Sequence, residues 1–241
     1  MTSVVHPRVS ILIPCHNEED NIVPCLEAVL AAVPEAEILV IAGGDDQTAE
    51  RARQLGGHHP QVRVIDHAPD RGKGHAIRDG IALARAPVMA QFDADLQFEA
   101  GDLPALLAPI LAGQCDLCIG SRFLPGSAWD ATGHSRLRDT GNRLLSGWVS
   151  LLTGRRATDV TTGMKAWSLA AIEQIAFRDE RYSYEAEIVV RAACLGLKVL
   201  EIPVRYSGRV TGASMHRHAP ALAKAGMIIA LKCLIARLRR A

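Results

Sequence analysis

Val88-Met-Ala-Gln-Phe-Asp93-Ala-Asp95-Leu-Gln97 sends a short apolar run straight into two carboxylates and an amide, each two residues apart. Side chains at i and i+2 of an extended segment point the same way. A strand over residues 88–93 therefore projects Asp93 and Asp95 together from its end, with the Gln97 amide oxygen close behind. Hard oxygen ligands in such a cluster suit Mg²⁺ or Mn²⁺. Read alone, the same segment also fits a strand that simply stops at a polar turn.

Outward from this stretch, short β-rich runs alternate with helical patterns. Strands are predicted near Val9–Pro14, Glu37–Ala42, Val62–Asp66, Val88–Asp93 and Asp116–Ser121, with helices near Asn21–Val33, Thr48–Leu55, Lys73–Ala84 and Leu103–Leu111. That alternation is the pattern of βαβ units and predicts an α/β fold with a mostly parallel central sheet flanked by helices. Ligands of open α/β sheets gather outside the carboxyl ends of the strands. Asn17-Glu18, Gly43 to Asp46, Asp93/Asp95 and Ser121-Arg122 all fall at such ends, so four chain segments converge on one crevice. Beyond Arg122 the alternation fades into a loop, a helix over 142–153, a Thr-rich turn at Asp159–Gly163 and a helix over 185–195.

The bulk properties narrow the function classes. With 241 residues, 49% of them hydrophobic, the chain can bury a full core. Lys+Arg 27 against Asp+Glu 26 leaves a formal charge of +1, so no global field draws the protein to nucleic acid. Met1 to Arg8 has no apolar core of signal-peptide length, and the six cysteines are scattered through apolar segments as reduced thiols would be; the expected location is cytoplasmic. Cys115-Asp-Leu-Cys118 runs into a strand pattern and reads as buried thiols rather than a redox pair. His216, His218 and His58-His59 lack partners at zinc spacing.

Residues 219–238 are apolar but interrupted by Lys224 and Lys232, short of an uncharged membrane span of about 20 residues. At 100° per residue Arg217, Lys224, Lys232 and Arg239 share one stripe, and Leu222, Gly226, Ile229, Cys233 and Ala236 the other. The expectation is a basic amphipathic helix over 216–241, following a catalytic domain over 1–215. Such a helix lies in the plane of an anionic membrane surface or packs on its own domain.

Taken in order, Ile13-Pro-Cys-His-Asn17-Glu18, Arg71-Gly-Lys73-Gly-His-Ala-Ile-Arg78, Asp93-Ala-Asp95-Leu-Gln97, Gly120-Ser-Arg122, Asp159-Val-Thr-Thr-Gly163, Tyr182-Ser-Tyr-Glu-Ala-Glu187 and Glu201 to Ser214 resemble a family 2 glycosyltransferase of the GT-A fold, in the manner of dolichol-phosphate mannose synthases. The resemblance implies a nucleotide-sugar donor contacted by Pro14, Asn17, Glu18, Asp46, Lys73 and Asp93, and a divalent ion on Asp93, Asp95 and Gln97. It further implies transfer to a polyprenyl phosphate, with Asp93, Asp95 and Arg122 central to catalysis. Candidates for phosphate handling are Arg122, Arg136, Arg138, Arg209 and Ser214, since arginine forks suit phosphate oxygens; Arg122 and Arg209 match the family positions, while Arg136 and Arg138 also fit a solvated helix face. Glu185 and Glu187 either position acceptor or sugar, or simply favour a helix dipole. Gly72-Lys73-Gly74 is not a P-loop, because Gly-x-x-x-x-Gly-Lys-Ser/Thr is absent.

The chain departs from the family pattern at Ile41-Ala-Gly-Gly-Asp45-Asp46, where an acidic pair usually contacts base and ribose, and at Ser214-Met215 and Arg138. UDP-hexose, UDP-N-acetylhexosamine and GDP-mannose all stay open as donors. Many relatives also carry C-terminal transmembrane helices, so a small membrane protein partner is one expectation for anchoring. Two rival readings accompany these: the same core glycosylating a soluble, protein or polysaccharide acceptor, and a non-catalytic nucleotide-sugar-binding protein.

Overall fold

The computed structural model describes residues 7–129, 136–208 and 219–239. Seven strands form one sheet: β1 (Val9–His16), β2 (Glu37–Gly43), β3 (Val62–Asp66), β4 (Val88–Gln91), β5 (Leu117–Ser121), β7 (Lys165–Ser168) and β8 (Val199–Pro203), in the order β3-β2-β1-β4-β7-β5-β8. β6 (Ala128–Trp129) and β9 (Arg205–Tyr206) make a separate two-stranded ribbon. All pairings in the large sheet are parallel except those of β7, which runs against both β4 and β5.

Central strands buried on both faces read as continuous apolar runs, and β1 and β2 do so. The strand period of two then sorts their side chains: Ile11, Ile13, Ile38 and Val40 enter one apolar layer, Leu12, Leu39 and Ile41 the other. The first layer is closed by α1 (Ile22–Ala32) and α4 (Leu103–Leu111), and α2 (Thr48–Gly56) lies beside β3. The second is closed by α3 (Lys73–Leu83), α5 (Arg136–Thr153), α6 (Leu169–Ile175), α7 (Tyr184–Cys194) and α8 (Ala219–Leu238).

Three expectations change. β4 stops at Gln91, two residues before Asp93: the Phe92 N–H still donates to Leu12 O at 3.0 Å, and beyond it the chain enters a turn with Leu96 at φ 58°. Strand β7 and helix α6 were not legible: Lys165-Ala-Trp-Ser is only four residues long and opens on a lysine, yet it is inserted between β4 and β5 with Ala166 facing both Ala90 and Cys118.

The third correction concerns α8, which is not amphipathic in the expected sense. Ile229, Ala230, Cys233 and Ala236 pack inward against α5 and α7, but Met227, Ile228, Leu231, Ile235 and Leu238 stand exposed on the outside. Lys232, expected on the basic stripe with Lys224 and Arg239, pairs with Asp179. Arg217 lies outside the described residues. No helix among the described residues is long and apolar enough to cross a membrane.

Candidate active site

The turn after β4 places Asp93, Asp95 and Gln97 on one cleft of about 1380 Å³. The gathering is done by the turn rather than by strand alternation: Asp95 accepts the Gln97 backbone N–H at 3.3 Å, and the Gln97 side chain donates to Ser207 O at 3.4 Å. Gly163 comes against Asp93 so closely that a Cβ there would sit 2.0 Å from Asp93 Oδ2. Only glycine lets the carboxylate occupy this position. The donor set of two carboxylates and an amide is all oxygen, so the residues present fit a hard divalent ion.

Asp93 also pairs with Lys73, the first residue of α3. Its ammonium lies 2.7 Å from both Asp93 Oδ2 and Glu185 Oε1, with all three side chains largely buried. Burial works against the charge, but the two carboxylates reverse it and hold the Lys73 pKa well above the ordinary lysine value. Burial pushes the Glu185 carboxyl up, with Lys73 and Lys165 opposing. Lys165 is fully buried nearby; desolvation lowers its pKa to about 8 against the pull of Glu185 and Asp159. Its ammonium donates to Val160 O, at 3.3 Å, and to Thr162 O, and so shapes the turn that carries Gly163. Tyr184 donates to Gln91 Oε1 at 2.7 Å and ties α7 to the end of β4.

Arg122 lines the cleft but its fork is already filled. Nε and Nη2 donate to the two oxygens of Asp159 at 2.7 and 2.8 Å, the Arg122 backbone N–H adds a third bond to the same carboxylate, and Nη2 also reaches Thr161 at 3.1 Å. The guanidinium lies over the Phe123 and Tyr206 rings, 5.5 and 5.1 Å from their centroids. A bidentate phosphate clamp needs a free fork, so Arg122 holds the 159–161 turn under the cleft first, and the expected phosphate fork is corrected to that extent. Arg138, on α5, lines the cleft directly. The Arg136 side chain, Arg209 and Ser214 lie outside the described residues.

The four remaining donor-side residues sit at the ends of β1 and β2, apart from those lining this cleft. Pro14 is half-buried near the end of β1. Asn17, at φ 55°, exchanges two hydrogen bonds with Asp45, through the Asp45 N–H at 2.9 Å and its own amide at 3.2 Å. Gly44 sits at φ 97°, where a Cβ would fall 1.9 Å from the Asn17 amide oxygen, so only glycine fits between the tips of β1 and β2. Glu18 accepts from Asn21 at 2.6 Å. Of the two aspartates that could reach a ribose from here, Asp45 or Asp46, Asp46 is engaged locally: it accepts from the Thr48 backbone at 2.9 Å, the Thr48 hydroxyl at 2.6 Å and the Glu19 backbone at 3.0 Å. Desolvation opposes ionisation of Asp46, and those bonds outweigh it, lowering its pKa. Asp46 thus closes the start of α2, and the exposed carboxylate of the pair is Asp45.

Away from the charged end, the cleft runs between α5 and α8. Its walls there are Leu144, Leu145, Trp148, Leu222, Met227 and Ile229, with Gly141 and Gly226 leaving the groove open. Charge at one end and a hydrocarbon-like channel at the other belong to one continuous space.

Residues 10–178 match the model of glycosyl transferase family 2. The chain belongs to this family. Among curated relatives, an undecaprenyl-phosphate mannosyltransferase of Micrococcus luteus is 30% identical over 219 residues, covering 86% of each chain. A dolichyl-phosphate hexose transferase of Haloferax volcanii is 30% identical over 244 residues, covering 99% of this chain and 100% of that one. The low-salt glycan biosynthesis hexosyltransferase Agl6 of the same organism is 28% identical, and this chain spans 49% of its length; for the glycosyltransferase AglD the share is 32%. Among solved structures, glucosyl-3-phosphoglycerate synthase of Mycobacterium tuberculosis, determined with Mn²⁺ and UDP, superposes with a TM-score of 0.72 at 21% identity, over 96% of this chain and 80% of that one. That likeness concerns the GT-A fold.

For this family 2 glycosyltransferase, sequence reasoning assigned no role to three residues around the cleft: Lys165, Asp159 and Asp70. Asp159 and Gly163 bound the Thr-rich turn, but nothing in its spacing revealed that one holds Arg122 and the other admits Asp93. Asp70 bonds His16 at 2.5 Å and reaches Gly43 across the tips of β1 and β2. A lone aspartate after Ala-Pro gives no such signal.

Proposed function

We propose that the protein transfers a monosaccharide from a nucleotide-diphospho-sugar to a polyprenyl phosphate, with inversion, at the cytoplasmic face of a membrane. The observation that carries this reading is the single cleft that joins Asp93, Asp95 and Gln97 to the apolar walls of α5 and α8. A phosphate on a long hydrocarbon chain needs both ends of such a space. The curated relatives with polyprenyl-phosphate names and similar length support the same acceptor class.

Asp93, Asp95 and Gln97 would hold Mg²⁺ or Mn²⁺, which when bound neutralises charge on the departing nucleoside diphosphate. The protein's own part is positional. Lys73 keeps a fixed positive charge beside Asp93, and Glu185 holds that lysine in place. Arg138 stands where the cleft turns apolar and draws the acceptor phosphate toward the anomeric carbon. That phosphate has its second pKa near ~6, so it reaches the site mostly as a dianion and attacks without a protein base. The new C–O bond forms on the face opposite the departing diphosphate. Asn17 and Asp45 at the tip of β1 and β2 are the side chains best exposed to meet the nucleoside.

The outer surface fits a peripheral membrane position. Leu137, Leu144 and Leu151 stand exposed at seven-residue intervals along α5, beside the exposed Met227, Ile228, Leu231, Ile235 and Leu238 of α8. Leu137, Leu144, Met227 and Ile228 also line the cleft, so its apolar end opens where a lipid surface would supply the acceptor. This face is also where a small membrane protein partner would dock.

The test is transfer from radiolabelled UDP-glucose, UDP-N-acetylglucosamine or GDP-mannose, with Mn²⁺, to a short-chain polyprenyl phosphate and in parallel to water-soluble sugar and phosphate acceptors. Product on the polyprenyl phosphate from one donor is expected. Product only on a soluble acceptor would replace the acceptor class, and no turnover of any donor would favour a non-catalytic nucleotide-sugar binder.

A further inference from the structure

On the far side of Lys73, α3 turns a second set of ligands toward the loop that follows β3. His75 and Asp79, one helical turn apart, share a face of α3. His67, at the end of β3, comes down onto that face. Asp79 Oδ2 lies 3.0 Å from His67 Nδ1 and 3.3 Å from His75 Nδ1, and the three ligand atoms all fall within 4.8 Å of one another. Neighbouring ligands bound at about 2.0–2.1 Å stand roughly 2.8–3.4 Å apart, from six-coordinate to four-coordinate geometry, a range that includes both contacts to Asp79.

We propose that His67, His75 and Asp79 bind a divalent transition ion of the zinc class, at a site separate from Asp93 and Asp95. Two imidazoles and one carboxylate select such an ion over Mg²⁺, whose preference is for oxygen. His75 Nδ1 is buried and makes no hydrogen bond, since it faces Asp79 out of alignment; an ion between them satisfies it. His67 is nearly inaccessible and its other nitrogen is also provided for. Without an ion, Nε2 accepts the Arg71 N–H at 3.3 Å and the proton on Nδ1 points to Asp79. When Nδ1 binds the ion, the proton moves to Nε2, the Arg71 N–H gives up that acceptor, and Asp70 Oδ1, 3.6 Å away, is the carboxylate to which Nε2–H turns. Metal-bound histidines commonly donate their second N–H to such a carboxylate.

The placement gives the ion a task. It staples the 67–72 loop to α3, and α3 begins at Lys73, whose ammonium reaches Asp93 and Glu185. Asp70 in the same loop reaches His16 at the tip of β1. An ion there stiffens the wall of the cleft from behind without touching substrate.

The test uses untagged, chelator-stripped full-length protein, titrated with Co²⁺ in excess Mg²⁺ and followed by visible d–d absorption and by the midpoint of thermal unfolding. Wild type and Asp95→Ala are expected to take up one Co²⁺ each with a rise in Tm, because an ion that binds only the native state stabilises it. His75→Ala and the isosteric Asp79→Asn are expected to bind at least tenfold more weakly, with the Tm rise lost and the circular dichroism unchanged. Asp70→Asn should weaken binding on the order of 10- to 100-fold, as loss of a histidine's carboxylate partner typically does. Absence of Co²⁺ uptake by wild type, uptake unaltered in both His75→Ala and Asp79→Asn, or uptake abolished by Asp95→Ala would each overturn the proposal.

Discussion

The two sides of the cleft are built on opposite principles. On the proposed donor side, where the cleft itself takes in Lys73, Asp93 and Glu185 and the tips of β1 and β2 lie beyond it, polar groups are locked by short bonds to one another: Asn17 to Asp45, Asp46 to Thr48, Lys73 to Asp93 and Glu185. On the acceptor side, α5 and α8 present apolar walls with open glycines and few polar anchors. A nucleoside diphosphate has a fixed pattern of charges and rewards preorganised groups. A hydrocarbon chain has none, and asks only for width and dryness. Mutations on the first side should therefore be severe and specific to catalysis, and those on the second graded and specific to the acceptor.

The largest effect is expected at Asp95. Replacing it with alanine removes one of two carboxylates from the site assigned to the divalent ion, and transfer should fall by at least about 10³-fold, the scale on which single electrostatic contributors act. Because Asp95 lies on an irregular turn outside the core, the unfolding midpoint should stay within a degree or two, about what surface substitutions allow. An Asp95→Ala enzyme with near-normal turnover would break the comparison at its strongest point. EDTA should reproduce the loss in wild type, with recovery on adding Mn²⁺.

Gly163→Ala sharpens the same side. Its methyl group cannot coexist with Asp93 in the present position, since the clash is with the carboxylate at 2.0 Å. The Asp93 side chain must swing away, and displacements of about 1 Å in a reacting site cost on the order of 10²-fold in rate. Steady-state kinetics should show this loss in kcat, with binding of a nucleoside diphosphate in the absence of metal little changed. An unimpaired Gly163→Ala enzyme would mean that Asp93 has room the structure does not give it.

The acceptor side is tested at Gly226, where an added Cβ meets no atom within 4 Å. Gly226→Glu is sterically free and replaces a poor helix former with a better one, so α8 should not be weakened. It sets an anion in an apolar groove in the path of an anionic lipid. The KM for polyprenyl phosphate should rise roughly tenfold, about the 1.4 kcal/mol that a misplaced polar group costs, while the KM for the nucleotide-sugar stays unchanged. A rise in the donor KM instead would exchange the two sides of the cleft.

Legibility in the sequence divides along the same line. Strand β3 and helices α2 and α4 could be read almost to the residue, because local period and punctuation by Gly, Pro and Asp belong to each segment separately. Asp93, Asp95, Gln97 and Lys73 were also legible as a group, since family motifs preserve order even where geometry differs. The strand-end argument for the two aspartates reached a shared cleft by the wrong local route, the turn having replaced the strand. What escaped was non-local. Strand β7 exists because β4 and β5 both pair with it, not because Lys165-Ala-Trp-Ser demands extension. The engagement of Asp46 by Glu19, and of Arg122 by Asp159, depends on partners 27 and 37 residues away. On α8, the stripe of Ile229, Cys233 and Ala236 read from helical periodicity is the one the fold buries; what periodicity did not show is that Lys232 turns to Asp179 and that Met227, Ile228, Leu231 and Ile235 stand exposed.

The smallest effect is expected at the seam between the two sides, in the pH dependence of stability. Lys165 titrates near pH 8 in the folded protein, because burial disfavours its charge, and near 10.5 when unfolded. Between those values the unfolded chain holds a proton that the native state has released. Stability from this group therefore rises as pH increases from about 8 toward 10.5, and is flat below. Lys73 has the opposite sign: its folded pKa is raised, so its contribution is intact through this window and is lost only above the unfolded value. In Lys165→Met the rise should disappear, leaving a profile that is flatter from pH 8 to 10 than that of wild type by chemical denaturation. Parallel profiles for the two proteins would mean that Lys165 stays charged, fully paired by Glu185 and Asp159, and that the polar lock of the donor side reaches further under the acceptor groove than its pKa implies.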